Sequence, residues 1–357
     1  MNIKSIALVL TLGFVAAQAA ADKVVGYFPY WSQYSQFYPK DIRYNTVTHI
    51  HYSSLLPAED GSLAFPDEND APNYDSLANM CAANNVKLVV SVGGVEAEGA
   101  LKAIAGSDEA LSTFVGNLKT WVGEHKANGV ELDWQNITAD DAADYAKMMN
   151  ALVDAFSGVI VASTMYPLAA MEPYTAEVMN KLSYINVFIP DQMSEESSTL
   201  VPNQGGKIIA ETLEKAADAG IQKSLLVPVV YFYGKSFLGA TGFGSSHQGT
   251  GSGNEGYLPY KELMSKFDTP DYKVSFDSDS QSEIAVSKEE AIVFMGIPSV
   301  KAVAVNVKNN GYAGVAVYDV SQDHHEPIVS VLVTIGLELR PGVNYKAAKK
   351  QSSQENV

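Results

Sequence analysis

The sequence predicts an α/β protein: a closed (β/α)8 TIM barrel with a small α+β insertion between its seventh and eighth strands. Three observations carry this. Eight short apolar runs, rich in β-branched residues, recur along the chain. Most are separated by amphipathic helical patterns, and strand alternating with helix means a parallel sheet. One interval, about 80 residues between the seventh and eighth runs, is too long for a single helix.

Taken in order, the runs are residues 23–28, 47–53, 87–92, 129–134, 159–165, 184–189, 225–231 and 314–318. Each has strand length and a composition that suits a pleated, buried surface. Residues 142–156 and 207–219 have the spacing of amphipathic helices. Eight such units favour a closed barrel over an open doubly wound sheet. No Gly-x-Gly-x-x-Gly follows the first run, which weakens a dinucleotide-binding alternative. The long interval opens with residues 239–256, seven glycines in 18 positions. That composition marks a mobile or functional loop. Beyond it, 273–276 and 283–286 read as strands of an inserted subdomain. The expected organisation is a leader over 1–21, a barrel over 22–237 and 295–340, the loop and insertion over 238–294, and a flexible tail over 341–357. There is no internal repeat.

The 357 residues are 46% hydrophobic and 18% charged, enough apolar mass for a large core and too much for disorder. The net charge of −17 argues against a phosphate-backbone partner and against an anionic membrane surface. Lys4 is the only charge before Asp22; an apolar stretch and a small-x-small end follow it, the pattern of a secretory signal peptide. The apolar stretch is shorter than the roughly 18 residues a membrane span needs. A secreted, extracellular protein is therefore expected. Its one cysteine, Cys81, cannot make an internal disulfide, and its apolar helical context makes it a core residue. His324 and His325 sit together in a loop, but the chain carries no spaced metal motif. No metal or cofactor is implied, and a monomer is expected. Asn136-Ile137-Thr138 is the one Asn-x-Ser/Thr sequon, a glycosylation site if the source glycosylates.

In such barrels the site lies at the C-terminal ends of the strands. The fourth run ends Asn128-Gly-Val-Glu131-Leu-Asp133-Trp-Gln135. Side chains alternate along a strand, so Glu131, Asp133 and Gln135 share the inward face and Trp134 packs outward. Two buried acids so close cannot both ionise cheaply, so one is protonated or strongly paired. Such a cluster is unusual in an apolar barrel core and points to a site.

This run resembles the Asp-Gly-x-Asp-x-Asp-x-Glu motif of family 18 glycoside hydrolases, the chitinases and chitinase-like lectins. Val25-Gly-Tyr-Phe resembles the family's first strand, Thr48-His-Ile-His-Tyr its second, and Ser91-Val-Gly-Gly94 its Ser-x-Gly-Gly. Tyr184-Ile-Asn-Val-Phe-Ile-Pro-Asp191 is similar to the sixth strand, and Phe232-Tyr-Gly-Lys235 to the family's Phe-Tyr-Gly-Arg. Gly256-Tyr-Leu-Pro-Tyr-Lys-Glu-Leu263 is similar to the start of the inserted subdomain. The pieces fall in the family's order over nearly the whole chain. The resemblance implies substrate-assisted hydrolysis. A Glu at the end of the fourth strand protonates the glycosidic oxygen while the sugar's own acetamide attacks. The neighbouring Asp, here Asp133, orients that acetamide. A sixth-strand Tyr-Asp pair, whose Asp is Asp191, holds it, and an eighth-strand Trp floors the pocket.

The sequence departs at the decisive points. The acid position is Gln135, and a carboxamide has no proton to give. Asn128 and Glu131 replace the first two motif Asp residues, and Pro190 the sixth-strand Tyr. Tyr318 replaces the eighth-strand Trp, Lys235 the seventh-strand Arg, and Val95 the Trp after Ser-x-Gly-Gly. Glu131 lies too deep to replace the acid; Glu96, Glu98 and Glu255 are the loop acids within reach of the question. Sugars stack their C–H faces on rings, so Tyr27, Trp31, Tyr166, Tyr233 and Tyr318, with Glu131, Met165 and Lys235, are the expected binding residues. Asp133, Gln135 and Asp191 complete the site. The expected function is binding of chitin or chito-oligosaccharides without efficient hydrolysis. The alternatives are a weak or altered glycosidase and a protein-interaction module on a relict barrel.

Overall fold

The computed structural model describes residues 21–189, 191–192 and 196–345. The leader expected over 1–21 falls almost wholly outside them, as do Pro190 and residues 346–357 of the expected tail. In chain order the first seven barrel strands are β1 (Lys23–Pro29), β2 (His49–Pro57), β3 (Lys87–Gly93), β4 (Gly129–Asp133), β5 (Ile160–Met165), β6 (Tyr184–Val187) and β7 (Leu226–Tyr231). An insertion follows, with β8 (Tyr233–Leu238), β9 (Tyr257–Pro259), β10 (Lys273–Asp277), β11 (Ser282–Val286) and β12 (Glu290–Phe294). The eighth barrel strand is β13 (Gly314–Tyr318). Neighbouring barrel strands are parallel throughout, and β1 pairs both β13 and β2, which closes the ring. All eight runs anticipated from the sequence are barrel strands.

Helices sheathe the barrel: α1 (Asp70–Ala83), α2 (Glu98–Gly106), α3 (Asp108–Glu124), α4 (Ala142–Ala155) and α5 (Gly206–Asp218). After α6 (Tyr260–Phe267), which belongs to the insertion, come α7 (Ile297–Asn310) and α8 (Val331–Leu339). Their boundaries have local causes. Ser107 caps α3 by accepting from the Ala110 amide, and Asp108 and Glu109 favour its positive end. Gly311, at φ 76°, ends α7 in the left-handed conformation that glycine adopts most cheaply. Cys81 lies buried on α1, in the layer between sheet and helices. The stability of the chain rests on this layer and on a smaller apolar cluster inside the barrel.

The insertion is a five-stranded antiparallel sheet in the order β9-β8-β12-β11-β10, with α6 beside it. It begins at Tyr233, ahead of the boundary at 238 read from the sequence. The run after β7 turns at Phe232 and enters the second sheet directly, so no loop marks the junction. The glycine-rich segment is tied down at its base. Leu238 and Gln248 exchange backbone bonds with Gly249 and Leu238, and the Ser252 amide and hydroxyl donate to the buried Glu290 carboxylate. Residues 341–345 also differ from the expected free tail. Tyr345 is buried, its hydroxyl donating to the Gly336 and Arg340 carbonyls, and the Arg340 guanidinium donates to the carbonyls of Asn45, Thr46 and Val47. Residues 341–345 are therefore docked on the barrel: Tyr345 buries its ring there and its hydroxyl still finds partners.

Candidate functional site

The parallel strands bring their polar residues to one end of the barrel in two tiers. The lower tier centres on Glu131 of β4, which is fully buried. Its Oε1 accepts from the Tyr27 hydroxyl of β1 at 2.7 Å and from the Asn186 amide of β6 at 2.7 Å. Its Oε2 lies 3.0 Å from Nδ1 of His51 on β2, and His51 Nε2 lies 2.7 Å from the Tyr184 hydroxyl. Facing an ionised carboxylate, Nδ1 must be the donor. Burial works to raise the Glu131 carboxyl, but the His51 charge and the three hydrogen bonds outweigh it and hold the group below the usual carboxylate range.

Asp133, two residues on, forms the upper tier and is 6% exposed. Its Oδ1 accepts from the Thr164 and Tyr166 hydroxyls, each at 2.9 Å, and its Oδ2 from the Gln135 carboxamide at 2.9 Å. Burial, helped by the Glu131 charge, pushes its carboxyl up to about 6, against the pull of those hydrogen bonds. The two acids are thus driven apart: Glu131 stays ionised and Asp133 keeps its proton into mildly acidic solution. The glycine pair after β3 fixes the backbone here. The Gly94 amide donates to the Asp133 carbonyl at 2.9 Å, and a Cβ on Gly93, at φ 126°, would collide with that carbonyl.

A third group belongs to the insertion. Asp191 Oδ1 accepts from Tyr233 and Asn203, each at 2.8 Å. Its Oδ2 takes the Tyr257 hydroxyl and lies 3.5 Å from Lys235 Nζ. Four donors on two oxygens leave the carboxylate little capacity for a ligand, so Asp191 ties β8 and β9 to the segment after β6. Lys235 is itself buried and bonded to the Tyr257 hydroxyl at 2.9 Å.

Above these tiers the rings converge. Tyr27, Tyr166, Tyr231 and Tyr318, from four different strand ends, all contact Phe188, with ring centroids 5.3–6.4 Å apart. Tyr231 stacks in turn on Tyr233 at 5.0 Å. Trp31 stands outside this group on the turn after β1, 42% exposed and edge-on to Tyr30. Gln135 is half-buried at the rim. Asn136 beside it is exposed, with its side chain 3.4 Å from Glu98, which is paired to Lys102.

Three expectations change. Met165 does not face a ligand: Thr164 and Tyr166 take the inward positions, and alternation sends Met165 into the buried layer between barrel and helices. Glu131 is consumed by the floor network, and Tyr27 is buried beneath Phe188, so neither presents a free surface to a sugar. Reasoning from the sequence missed His51, Asn186, Thr164, Asn203, Tyr257 and Phe188. His51 and Asn186 carried a usable signal, as polar residues on apolar strands in positions that alternation turns inward. Asn203 and Tyr257 carried none, because only the packed insertion brings them to Asp191. Trp134 packs outward as expected.

The model of the family described as glycosyl hydrolases family 18 matches residues 23–323. The chitinase-like mite allergen Der f 18.0101 of Dermatophagoides farinae is 23% identical over 329 residues, covering 84% of this chain and 71% of the allergen. The group IV chitinase of Ostrinia furnacalis, solved in complex with allosamidin, superposes with a TM-score of 0.84 at 20% identity, over 90% of this chain and 100% of that one. A doubly mutated chitinase of Cycas revoluta, one exchange being glutamate to glutamine, was solved with (GlcNAc)4. It superposes with a TM-score of 0.80 at 20% identity, over 89% of this chain and 99% of that one.

Proposed function

The chain belongs to glycosyl hydrolase family 18, and from that premise we propose that it is a secreted chitinase-like protein that binds chitin or N-acetylglucosamine oligosaccharides without cutting them efficiently. The observation that carries the reading is Gln135. It occupies the rim position where the family motif ends in its acid, and its carboxamide is spent on Asp133. Loss of a general acid costs roughly 10²–10⁴-fold in rate. Of the loop acids, Glu98 is paired with Lys102, while Glu96 on the turn after β3 and Glu255 on the glycine-rich segment are exposed. Hydrogen-bonding groups and rings remain at the strand ends, which supports binding. The pattern of residues 1–21 supports export.

Calorimetric titration with chitopentaose, followed for hours, tests this. Saturable heat with a flat baseline supports a non-cleaving binder. A persistent heat drift with shortened product makes the protein an enzyme. No heat at several temperatures favours the second reading, a protein-interaction module. The packing of four tyrosines on Phe188 is the observation on that side.

A further inference from the structure

Phe188 follows β6 directly, and its amide donates to the Met165 carbonyl at 2.8 Å, so the ring is delivered from the end of a fixed strand. Tyr166 lies over its face at 26°, while Tyr27 and Tyr318 meet it at 72° and 74°. Phe188 itself is 6% exposed. Of the rings a sugar could reach, Tyr166 is stacked on Phe188 and Tyr318 meets it edge-on, so part of each is already covered. The same Tyr166 holds Asp133 through its hydroxyl, so one tyrosine joins the phenyl ring to the acid that could meet an acetamide. At the mouth Tyr166, Tyr231, Tyr233 and Tyr318 stay half-exposed, and more open apolar surface follows β1 and β3 at Trp31, Tyr34 with 59% exposure, Tyr38, and Val95 with 64%.

We propose that Phe188 is the specificity-determining residue of this site: its ring fills the axial position at the barrel mouth, so that long or surface-bound N-acetylglucosamine chains are engaged across the aromatic rim and a short sugar is refused a buried place. This rests on the sugar-binding reading above and adds the class of ligand that reading leaves open. A chain laid over the rim gathers several weak stacking contacts, each sequence-tolerant and rigid. A disaccharide gathers too few unless one ring enters the mouth.

The experiment compares wild type, Phe188→Ala and Phe188→Met by titration with chitobiose and with chitopentaose. Phe188→Met fills much of the same volume with a flexible chain and keeps the test alive if Phe188→Ala does not fold. The Asp133 carboxyl, followed by carbon NMR, reports whether the mouth has opened; hydration should bring it down from about 6 toward the ordinary range. The expected result is a gain for chitobiose of about tenfold in Phe188→Ala, smaller in Phe188→Met, with little change for chitopentaose. Chitopentaose binding to wild type, with chitobiose affinity unchanged in folded variants whose Asp133 has shifted, overturns the proposal and leaves the sugar-binding reading standing. No heat from either sugar with any of the three proteins overturns both.

Discussion

Asp133→Asn isolates a free energy that the barrel mouth builds into the fold. The wild-type carboxyl sits at about 6, against 3.8 for an ordinary aspartate. Between those values the folded chain holds a proton that the unfolded chain releases, so stability falls as pH rises. At roughly 1.36 kcal/mol per pH unit, the loss from pH 4 to above pH 6 is about 3 kcal/mol. Asp133 is almost fully buried, so solvent screening takes little from that figure. Asparagine keeps the size and the hydrogen-bonding capacity but cannot ionise. Other raised carboxyls, such as Asp323, also pushed to about 6 by burial, slope the same way but are common to both proteins and cancel. Urea unfolding at pH 4, 5, 6 and 7 gives the difference between variant and wild type. It should move in favour of the variant by about 3 kcal/mol across the window and level off above pH 7. A difference that stays constant with pH would refute the reasoning, because it would mean that Asp133 is ionised throughout.

Four further outcomes follow from the same geometry. Gln135→Glu places a carboxylic acid against Asp133 and should raise chitopentaose cleavage at least ~10-fold, short of the ~10²–10⁴ that a general acid is worth in an open site; product analysis that finds no gain means the remaining wall is incompetent. Glu131→Gln removes the charge that His51 faces and should cost about 3–5 kcal/mol, read by urea unfolding at neutral pH; a loss under ~1 kcal/mol, the scale of an exposed pair, would show the floor network to be dispensable. Gly93→Ala combines a left-handed φ with a collision at the Asp133 carbonyl and should lower stability by about 2 kcal/mol or more, seen as a drop in Tm. Expression in a glycosylating host should give a band that shifts on endoglycosidase treatment and is absent from Asn136→Gln; a band with no shift rules out a glycan there.

The barrel was legible because alternation of strand and helix is a strong periodic signal, and each of the eight strands lies on its anticipated run. The start of the insertion was not legible. Tyr231 and Tyr233 are neighbours in one apolar stretch, and only hydrogen bonding assigns them to different sheets. The inward face of β4 was legible, since alternation fixes Glu131 and Asp133 together. What each acid does was not. His51, Tyr27 and Asn186 converge on Glu131 from other strands, over 55 to 104 residues of sequence. Phe188 looked like one more apolar residue in a strand, and its meaning comes only from the four rings around it.

The fold constrains the polar positions of this site unequally, and their burial explains the difference. Glu131 has no exposure, and its charge is held by donors from three strands. Removing any one partner strands a charge in the core at a cost of several kcal/mol, a large share of the stability of an ordinary domain. Such a network can be replaced only by several changes at once, so its carboxylate serves the fold whether or not the protein cuts anything. Asp191 is held in the same way by four donors, three of which, Tyr233, Lys235 and Tyr257, belong to the insertion. Position 135 is different: it lies half-exposed at the rim, with one hydrogen bond to Asp133, and Gln satisfies that bond without a charge. On the reading proposed above, a change there would cost the fold little and hydrolysis a great deal. Retained carboxylates in this barrel are therefore weak witnesses for catalysis. The half-exposed position 135, where folding exerts little constraint, says more about what the protein does.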